Sequence, residues 1–481
     1  MARNKMLRFT KVEQRPPEKR EAEDRRQDFE EIYDDFAPPS AAEQASRCSQ
    51  CGVPYCQVHC PVNNNIPDWL MLTAEGRLEE AYEVSQATNN FPEICGRICP
   101  QDRLCEGNCV IETAGHGTVT IGAVERYITD TAFAKGWVKP IEPPVEHALS
   151  VGIVGAGPAG LAAAEQLRKG GWQVTVYDRY DRVGGLLIYG IPNFKLEKEV
   201  VLRRAEMMRR SKIAFELGVE VGRDISLAEL RRRHDAVLIA TGVYKARDLL
   251  VPGVGQPNVV PALDFLVASN RKGLGESVAD FESGLLNAEG KNVVVIGGGD
   301  TAMDCVRTAV RQGAASVSCL YRRDRANMPG SQREVANAEE EGVQFLWLSA
   351  PEAVLGDRHA TAVRTAKVHL GLPDATGRQT PQVLEGSSTN VPADLVIKAL
   401  GFDPEDLPVL FNEPKLGVTR WGTIKTDFRT LETSLPGVWA AGDIVRGASL
   451  VVWGIRDGRD AATSIDRYLR EKQAGLREAA E

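Results

Sequence analysis

The chain has 481 residues, which is enough for about three domains of ordinary size. Its 43% hydrophobic and 26% charged residues are typical of a globular protein with several cores, and the net charge of −8 argues against nucleic-acid binding. We find no apolar run long enough for a membrane span and no signal peptide at the charged N-terminus, so we expect a cytoplasmic protein with no membrane partner.

The first distinctive stretch is strongly charged. Residues 11–35 carry ten acidic and six basic side chains, with Phe29, Ile32, Tyr33 and Phe36 at near-helical spacing. We expect a solvated helix with one apolar face here. The alternative is a docking segment for a partner subunit.

Eight of the ten cysteines lie between residues 48 and 109, in two groups. Such crowding in a cytosolic protein indicates metal binding more often than disulfides. Neither group has the paired knuckles of a zinc ribbon, whereas four close thiolates with a Cys-Pro step are typical of ferredoxin cluster loops. The spacing therefore favours two iron–sulfur clusters over two zinc sites. The groups are Cys48, Cys51, Cys56 and Cys60, then Cys95, Cys99, Cys105 and Cys109.

The cysteine groups belong to a region that we expect to be helical. Residues 66–82 have the periodicity of one amphipathic helix. The region ends at a linker, residues 139–145, whose prolines disfavour regular structure.

A first nucleotide-binding unit follows the linker. An apolar strand at 151–154 leads into Gly155, Gly157 and Gly160, in the G-x-G-x-x-G spacing, and an alanine-rich helix follows. The first glycine permits the turn, the second lets a pyrophosphate approach the backbone, and the third lets helix and strand pack closely. The next strand ends in Asp178, placed to bind a ribose. Further candidate contacts to the dinucleotide are Pro158, Ala159, Gly185 and Thr241.

A second unit of the same kind begins near residue 292. Its turn has G-x-G-x-x-A spacing, and the strand after it ends in Arg322 and Arg323 instead of an acid. A carboxylate there would repel a ribose 2′-phosphate, whereas a guanidinium can bind it. The first unit therefore suits FAD and the second NADPH. The turn residues are Gly297, Gly298, Gly299, Asp300, Thr301 and Ala302.

The last strand of the chain leads to Gly442 and Asp443, and a helix from about residue 452 to 469 follows. Asp443 can bind a flavin ribityl chain, and the helix N-terminus can stabilise negative charge on the reduced flavin. Gly442 and Asp443 are therefore the second part of a two-part FAD signature, whose first part is the Gly155 turn. Lys195 could reach the flavin, but we expect a surface lysine.

With both cysteine groups, both glycine turns, residues 189–195, residues 321–330 and the Ala441-Gly442-Asp443 segment in place, the chain resembles the small (β) subunits of NADPH-dependent glutamate synthases. These features are shared with the electron-input half of dihydropyrimidine dehydrogenase and related oxidoreductase subunits. The resemblance covers essentially the whole chain.

The resemblance implies an α/β fold with an N-terminal α-helical iron–sulfur domain and two Rossmann-like domains in a glutathione-reductase-like arrangement. The helical domain would span 1–145, the split FAD domain 146–288 and 406–481, and the inserted NADPH domain 289–405. One [4Fe-4S] cluster would be held by Cys48, Cys51, Cys56 and Cys109. The other would be held by Cys60, Cys99, Cys105 and a fourth ligand, for which we favour Glu125 over Cys95.

The resemblance also implies the function. The chain would pass electrons from NADPH through FAD and two clusters to a large (α) subunit, which makes L-glutamate from L-glutamine and 2-oxoglutarate. The cofactors carry the hydride transfer, so we assign no acid–base catalyst. The alternative is the small subunit of an NADPH–ferredoxin oxidoreductase or an electron-bifurcating complex. A disulfide reductase is disfavoured because Cys305 and Cys319 are not a closely spaced dithiol.

Overall fold

The computed structural model describes residues 5–374 and 379–478, and its N-terminal part is helical. Helix α8 is the longest in this part and packs against α5 and α6. Its buried positions include Val124, Ile128 and Ala132, which recur at helical spacing and form part of the local core. The helices are α1 (Ala22–Arg25), α2 (Pro38–Ala45), α3 (Tyr55–Val58), α4 (Ile66–Glu75), α5 (Leu78–Thr88), α6 (Pro92–Ile98), α7 (Val110–Thr113) and α8 (Ile121–Lys135).

The charged segment 11–35 is not a solvated helix. Apart from α1 it has no helical structure, and Pro16 and Pro17 remove two backbone donors from its first half. Its charges find partners elsewhere in the chain. Arg25 is buried and pairs with Glu340 and Glu341. The segment is therefore a strap that joins the helical domain to a later part of the protein.

The single helix expected over 66–82 is two helices, α4 and α5. Gly76 ends α4 in the left-handed conformation, with φ of 83°. Glycine adopts this conformation without steric cost, so the chain can turn there. The apolar periodicity continues across the turn because both helices pack on the same core.

The first nucleotide-binding unit is a parallel five-stranded sheet in the order β16-β4-β1-β2-β3. Its central strands are buried along most of their length, as expected for a parallel sheet covered by helices on both faces. The strands are β1 (Ser150–Val154), β2 (Gln173–Asp178), β3 (Ala214–Leu217), β4 (Ala236–Ile239) and β16 (Val438–Ala440). The helices are α9 (Pro158–Lys169), α10 (Leu186–Tyr189), α11 (Lys198–Arg210), α12 (Leu227–Arg233), α17 (Leu407–Leu410), α18 (Asp443–Arg446) and α19 (Val451–Glu478).

The second unit repeats this plan with the strand order β6-β14-β7-β8-β9. Its edge strand lies well ahead of residue 289, where we expected the inserted domain to begin. That strand is short, ends in a proline and has no glycine turn, so the sequence does not mark it. The strands are β6 (Val259–Pro261), β7 (Asn292–Ile296), β8 (Ser316–Leu320), β9 (Gln344–Leu346) and β14 (Leu395–Lys398). The helices are α13 (Ala262–Gly273), α14 (Ala279–Glu282), α15 (Asp300–Arg311) and α16 (Gln332–Glu340).

Two smaller sheets complete the fold. One is antiparallel and extends the second unit, with strands β10 (Ser349–Leu355), β11 (Ala362–Pro373), β12 (Gln379–Val383) and β13 (Thr389–Pro392). The other pairs β5 (Lys245–Ala246) with β15 (Phe402–Asp403), where the chain leaves the first unit and returns to it. The expected α/β fold with an N-terminal helical domain is confirmed. No helix within 5–374 and 379–478 is both long and apolar enough to cross a membrane.

Candidate cofactor-binding and electron-transfer site

The first glycine turn is shaped for close backbone approach. Gly155 has φ of 112°, and a Cβ there would lie well within 3.0 Å of the Ala240 carbonyl oxygen. A Cβ on Gly160 would similarly collide with the Gly155 carbonyl oxygen. Gly157, by contrast, faces open space just before α9 begins at Pro158, and Ala159 follows in the first turn. The turn can therefore hold a pyrophosphate at the N-terminus of α9.

Asp178 lies at the end of β2, beside this turn. Its Oδ2 accepts the Ala156 N–H at 2.6 Å and its Oδ1 accepts the Tyr180 N–H at 2.8 Å. Burial raises the pKa of the carboxyl group, and these two hydrogen bonds favour its charged form. Each oxygen keeps a lone pair for a ribose hydroxyl.

The C-terminal residues complete the same site because β16 and β1 flank β4 in one sheet. Gly442 precedes α18 with φ of 78°, and Asp443 accepts a hydrogen bond from Ser449 Oγ at 2.9 Å. Burial raises the pKa of Asp443 to about 6. The Thr241 hydroxyl is buried with no partner among the described residues, so a bound ligand could satisfy it. Gly185, with φ of 55°, lies against the first glycine turn, since a Cβ there would come within 2.9 Å of Gly157 Cα. These features fit a flavin dinucleotide.

The second glycine turn has the same constraints. Gly297 has φ of 152°, and a Cβ there would overlap the Ala399 carbonyl oxygen. A Cβ on Gly298 would overlap the Tyr321 ring. Gly299 faces open space at the start of α15, whose first turn contains Asp300, Thr301 and Ala302. This turn can also receive a pyrophosphate.

Arg322 and Arg323 come just after Tyr321, which follows the end of β8 and packs against Gly298 of the second turn. Arg322 is exposed and Arg323 is half-buried. Neither guanidinium has an ion-pair partner in the described part of the chain, and the buried Arg323 Nε has no hydrogen-bond partner there. Both charges can therefore serve an anionic ligand such as a 2′-phosphate.

The eight clustered cysteines surround two small cavities, and the division does not follow their order along the chain. Four of them line the first cavity with Ile121, and the remaining four line the second with Ile121 and Glu125. No three His, Cys, Asp or Glu side chains within the described ranges are arranged around a single metal ion. The first set is Cys48, Cys51, Cys56 and Cys109; the second is Cys60, Cys95, Cys99 and Cys105.

The cysteine environments are chemically consistent with cluster binding. Burial raises the pKa of Cys48 to about 11 and that of Cys56 and Cys60 to about 12. Thiolates in such surroundings form when a metal centre compensates their charge. A [4Fe-4S] cluster supplies that compensation to four ligands at once.

Glu125 on α8 and Cys95 on α6 both line the second cavity. Glu125 Oε1 accepts hydrogen bonds from Asn64 Nδ2 at 3.0 Å and Asn89 Nδ2 at 3.2 Å, whereas Oε2 has none within the described structure. Burial raises the pKa of Glu125 to about 8. Both side chains are thus near enough to serve as the fourth ligand, and the geometry does not choose between them.

A cavity of about 540 Å³ lies where the helical domain and the two nucleotide-binding units meet. Its walls include Cys99 from the second cysteine set, Leu186 and Val451 from the first unit, and Asp300 and Asp304 from the second. The strap 11–35 closes one side. Ligands bound at the first unit, at the second unit and at the second cysteine set would therefore all face this one, partly apolar cavity.

Sequence reasoning missed several charged residues of this cavity. Lys195 is not a surface lysine: its side chain is 13% exposed, and Nζ lies 2.8 Å from Asp304 Oδ1 and 3.8 Å from Glu334 Oε2. The sequence also did not predict that Arg333, at the start of α16, belongs to the site. No local pattern marks either residue, because their surroundings come from distant segments of the chain.

Comparisons with known proteins agree with this architecture. A family model described as "Dihydropyrimidine dehydrogenase domain II, 4Fe-4S cluster" matches residues 25–137, and one described as "Pyridine nucleotide-disulphide oxidoreductase" matches residues 149–458. Mycobacterium tuberculosis FprA in complex with NADPH has a similar fold, with a TM-score of 0.58 and 20% identity over 69% of this chain and 86% of that one.

Relatives of much higher identity cover nearly the whole chain. The glutamate synthase [NADPH] small chain of Azospirillum brasilense is 68% identical over 98% of both chains. That of Escherichia coli K12 is 45% identical over 96% of this chain and 98% of its own. A putative oxidoreductase of E. coli, AegA, is 47% identical over 95% of this chain and 70% of its own. The chain therefore belongs to the family of NADPH-dependent glutamate synthase small chains.

Proposed function

We propose that this chain is the electron-input subunit of an NADPH-dependent glutamate synthase. The observation that carries the proposal is the shared cavity, because it brings both glycine-turn units and the Cys99 loop to one space. When bound, FAD accepts a hydride from NADPH and releases the electrons singly to iron–sulfur clusters. The protein's own task is to bind these groups, orient them and keep water from the reacting edges.

Each group has its own set of residues in this proposal. FAD is held by the Gly155–Gly160 turn, Asp178, Thr241 and the Gly442-Asp443 step, and the start of α19 stabilises negative charge on its ring. NADPH is held by the Gly297–Ala302 turn, with Arg322 and Arg323 at its 2′-phosphate. Two [4Fe-4S] clusters occupy the two cysteine sets, the second with Glu125 as its fourth ligand.

The arrangement supports one order for the two cysteine sets. The second set contributes Cys99 to the shared cavity, and its own cavity also contacts Val452 near the start of α19. The cysteines of the first set do not line the shared cavity, and Ile121 lines the small cavities of both sets. Exposed apolar side chains, Val53, Tyr55 and Val58, lie next to the first set. The second set is therefore the one nearer the flavin, and the first is nearer the outer surface.

The partner in this proposal is the large (α) subunit, in a cytoplasmic hetero-oligomer without nucleic acid or membrane. The test is an anaerobic assay of the purified, cofactor-loaded chain with and without that subunit. With the large subunit present, NADPH oxidation should depend on both glutamine and 2-oxoglutarate and should yield glutamate. Without that subunit, the two substrates should have no effect and no glutamate should form. Ferredoxin reduction with no glutamate under any condition would replace this function with that of an NADPH–ferredoxin oxidoreductase.

A further inference from the structure

One cation of the shared cavity differs from the others in its partners. Five basic side chains line the cavity, and four of them pair with a carboxylate: Lys19 with Glu340 at 2.6 Å, Arg97 with Glu31 at 2.7 Å, Arg126 with Glu31 at 3.1 Å and Lys195 with Asp304 at 2.8 Å. The fifth is Arg333. Within residues 5–374 and 379–478 no carboxylate lies within ion-pair distance of its guanidinium, although Glu334, Glu106 and Asp102 are near enough to raise its pKa.

The hydrogen bonds of Arg333 are also incomplete. Its Nη2 makes one long hydrogen bond of 3.5 Å to the Cys99 carbonyl oxygen, and its buried Nε has no acceptor among the described residues. The adjacent Glu334 is already engaged, since Arg307 Nη1 lies 2.6 Å from its Oε2. Arg333 is half-buried, and leaving its buried Nε–H without an acceptor is costly. The side chain is thus available to a ligand in the cavity.

The position of Arg333 identifies which part of a dinucleotide it could reach. The Gly330 N–H donates to the Gly298 carbonyl at 3.0 Å, and the Ser331 N–H donates to Asp300 Oδ1 at 2.9 Å. These bonds fix the start of α16 beside the second glycine turn. Arg333 comes two residues later and points into the shared cavity, whereas Arg322 and Arg323 do not line it. Arg333 is therefore on the flavin side of the turn, where the nicotinamide half must lie.

We propose that Arg333 binds the nicotinamide-side phosphate of the NADPH pyrophosphate. Planar guanidinium groups match phosphate oxygens with charge-assisted hydrogen bonds, and the contact would satisfy the donors left unpaired. The glycine turn supplies backbone N–H groups to the same pyrophosphate but no full positive charge. This inference deepens the proposed function and rests on the use of NADPH.

The test measures binding of three ligands to the oxidised, cofactor-loaded protein by calorimetry. Adenosine 2′,5′-bisphosphate lacks the nicotinamide-side phosphate, 2′-phospho-ADP-ribose has it without the nicotinamide, and NADP⁺ has both. For Arg333→Met, we expect Kd to rise tenfold or more for 2′-phospho-ADP-ribose and NADP⁺ and to change less than twofold for adenosine 2′,5′-bisphosphate. Arg333→Lys should fall between the wild type and Arg333→Met.

The matched control is Arg325→Met, because Arg325 lies in the loop that leads into α16 but is exposed and paired with Glu339. It should leave all three affinities unchanged. Equal losses for all three ligands in Arg333→Met, or no loss, would overturn the assignment, as would weakening of NADP⁺ alone. A wild-type protein that binds none of the three would instead refute the use of NADPH. Unaltered FAD absorbance in the variants verifies that they are folded.

Discussion

Lys195 Nζ and Asp304 Oδ1 lie 2.8 Å apart in a buried ion pair that joins the first nucleotide-binding unit to the second. Lys195 precedes α11 in the first unit, and Asp304 is on α15, the helix that begins at the second glycine turn. Burial opposes the charge of Lys195, but Asp304 and Glu334 outweigh it and raise its pKa. The pair is therefore one of the contacts that hold the two units together at the shared cavity.

Replacing Lys195 with methionine should destabilise the protein by about 3 kcal/mol, because Asp304 would remain buried without its cation. The free energy of unfolding in urea is the measurement, made with FAD bound. Lys272→Met is the control, since Lys272 and Glu282 form an exposed pair, and its loss should stay below about 1 kcal/mol. Adding Asp304→Leu to Lys195→Met should recover part of the loss. Equal, small losses in both single variants would contradict this account.

Replacing both Arg322 and Arg323 with alanine should narrow the preference for NADPH over NADH by one or more factors of ten, each worth about 1.4 kcal/mol. The reason is loss of the positive charge that we propose binds the 2′-phosphate, so kcat/KM for NADH should hardly change. Steady-state rates with an artificial electron acceptor measure both values. Arg325→Ala is the control within the same loop. Unchanged selectivity in the double variant would mean that the 2′-phosphate is bound elsewhere.

The two glycine turns could be predicted from sequence because their requirements are local. At Gly155 and Gly297 a side chain would strike the backbone carbonyl of the residue that follows a neighbouring strand, so glycine is required at the turn between the strand and the helix. The family resemblance extended the prediction from these two turns to the whole α/β fold. It also supplied the idea that Cys109 joins the first three cysteines, which spacing alone did not give.

The predictions that were wrong concern residues whose contacts are made by segments distant in the sequence. The strap 11–35 has a helical apolar spacing, but the buried position of Arg25 depends on Glu340 and Glu341, more than three hundred residues away. Lys195 similarly depends on Asp304. Local periodicity cannot reveal such ion pairs, because burial of a charge is decided by tertiary packing.

Cys95→Ser should leave both clusters intact, whereas Glu125→Ala should remove about four irons per chain, as expected for loss of one [4Fe-4S] cluster. This expectation follows from the proposed assignment of Glu125 as the fourth ligand, with which the hydrogen bonds of Asn64 and Asn89 to its Oε1 are compatible because they leave Oε2 for iron. Iron content after anaerobic purification and the low-temperature EPR spectrum of the reduced protein are the measurements. Loss of four irons in Cys95→Ser, with full iron in Glu125→Ala, would reverse the ligand assignment.

Two glycines of α19 should respond in opposite ways to alanine. A Cβ on Gly458 would overlap the Ala159 carbonyl oxygen at the start of α9, so Gly458→Ala must push α19 away from α9, the helix that we propose faces the FAD pyrophosphate. We expect a destabilisation of about 1–3 kcal/mol and lower FAD content per chain.

Gly475 lies on the same helix with nothing within 4 Å of an added Cβ, and it is exposed. Gly475→Ala should therefore keep full FAD content and stabilise the helix by up to about 1 kcal/mol, because alanine favours helical backbone more than glycine does. Flavin absorbance per chain and the thermal unfolding midpoint measure both variants. If Gly458→Ala matched Gly475→Ala in both quantities, the close approach of α9 and α19 would not be needed for flavin binding.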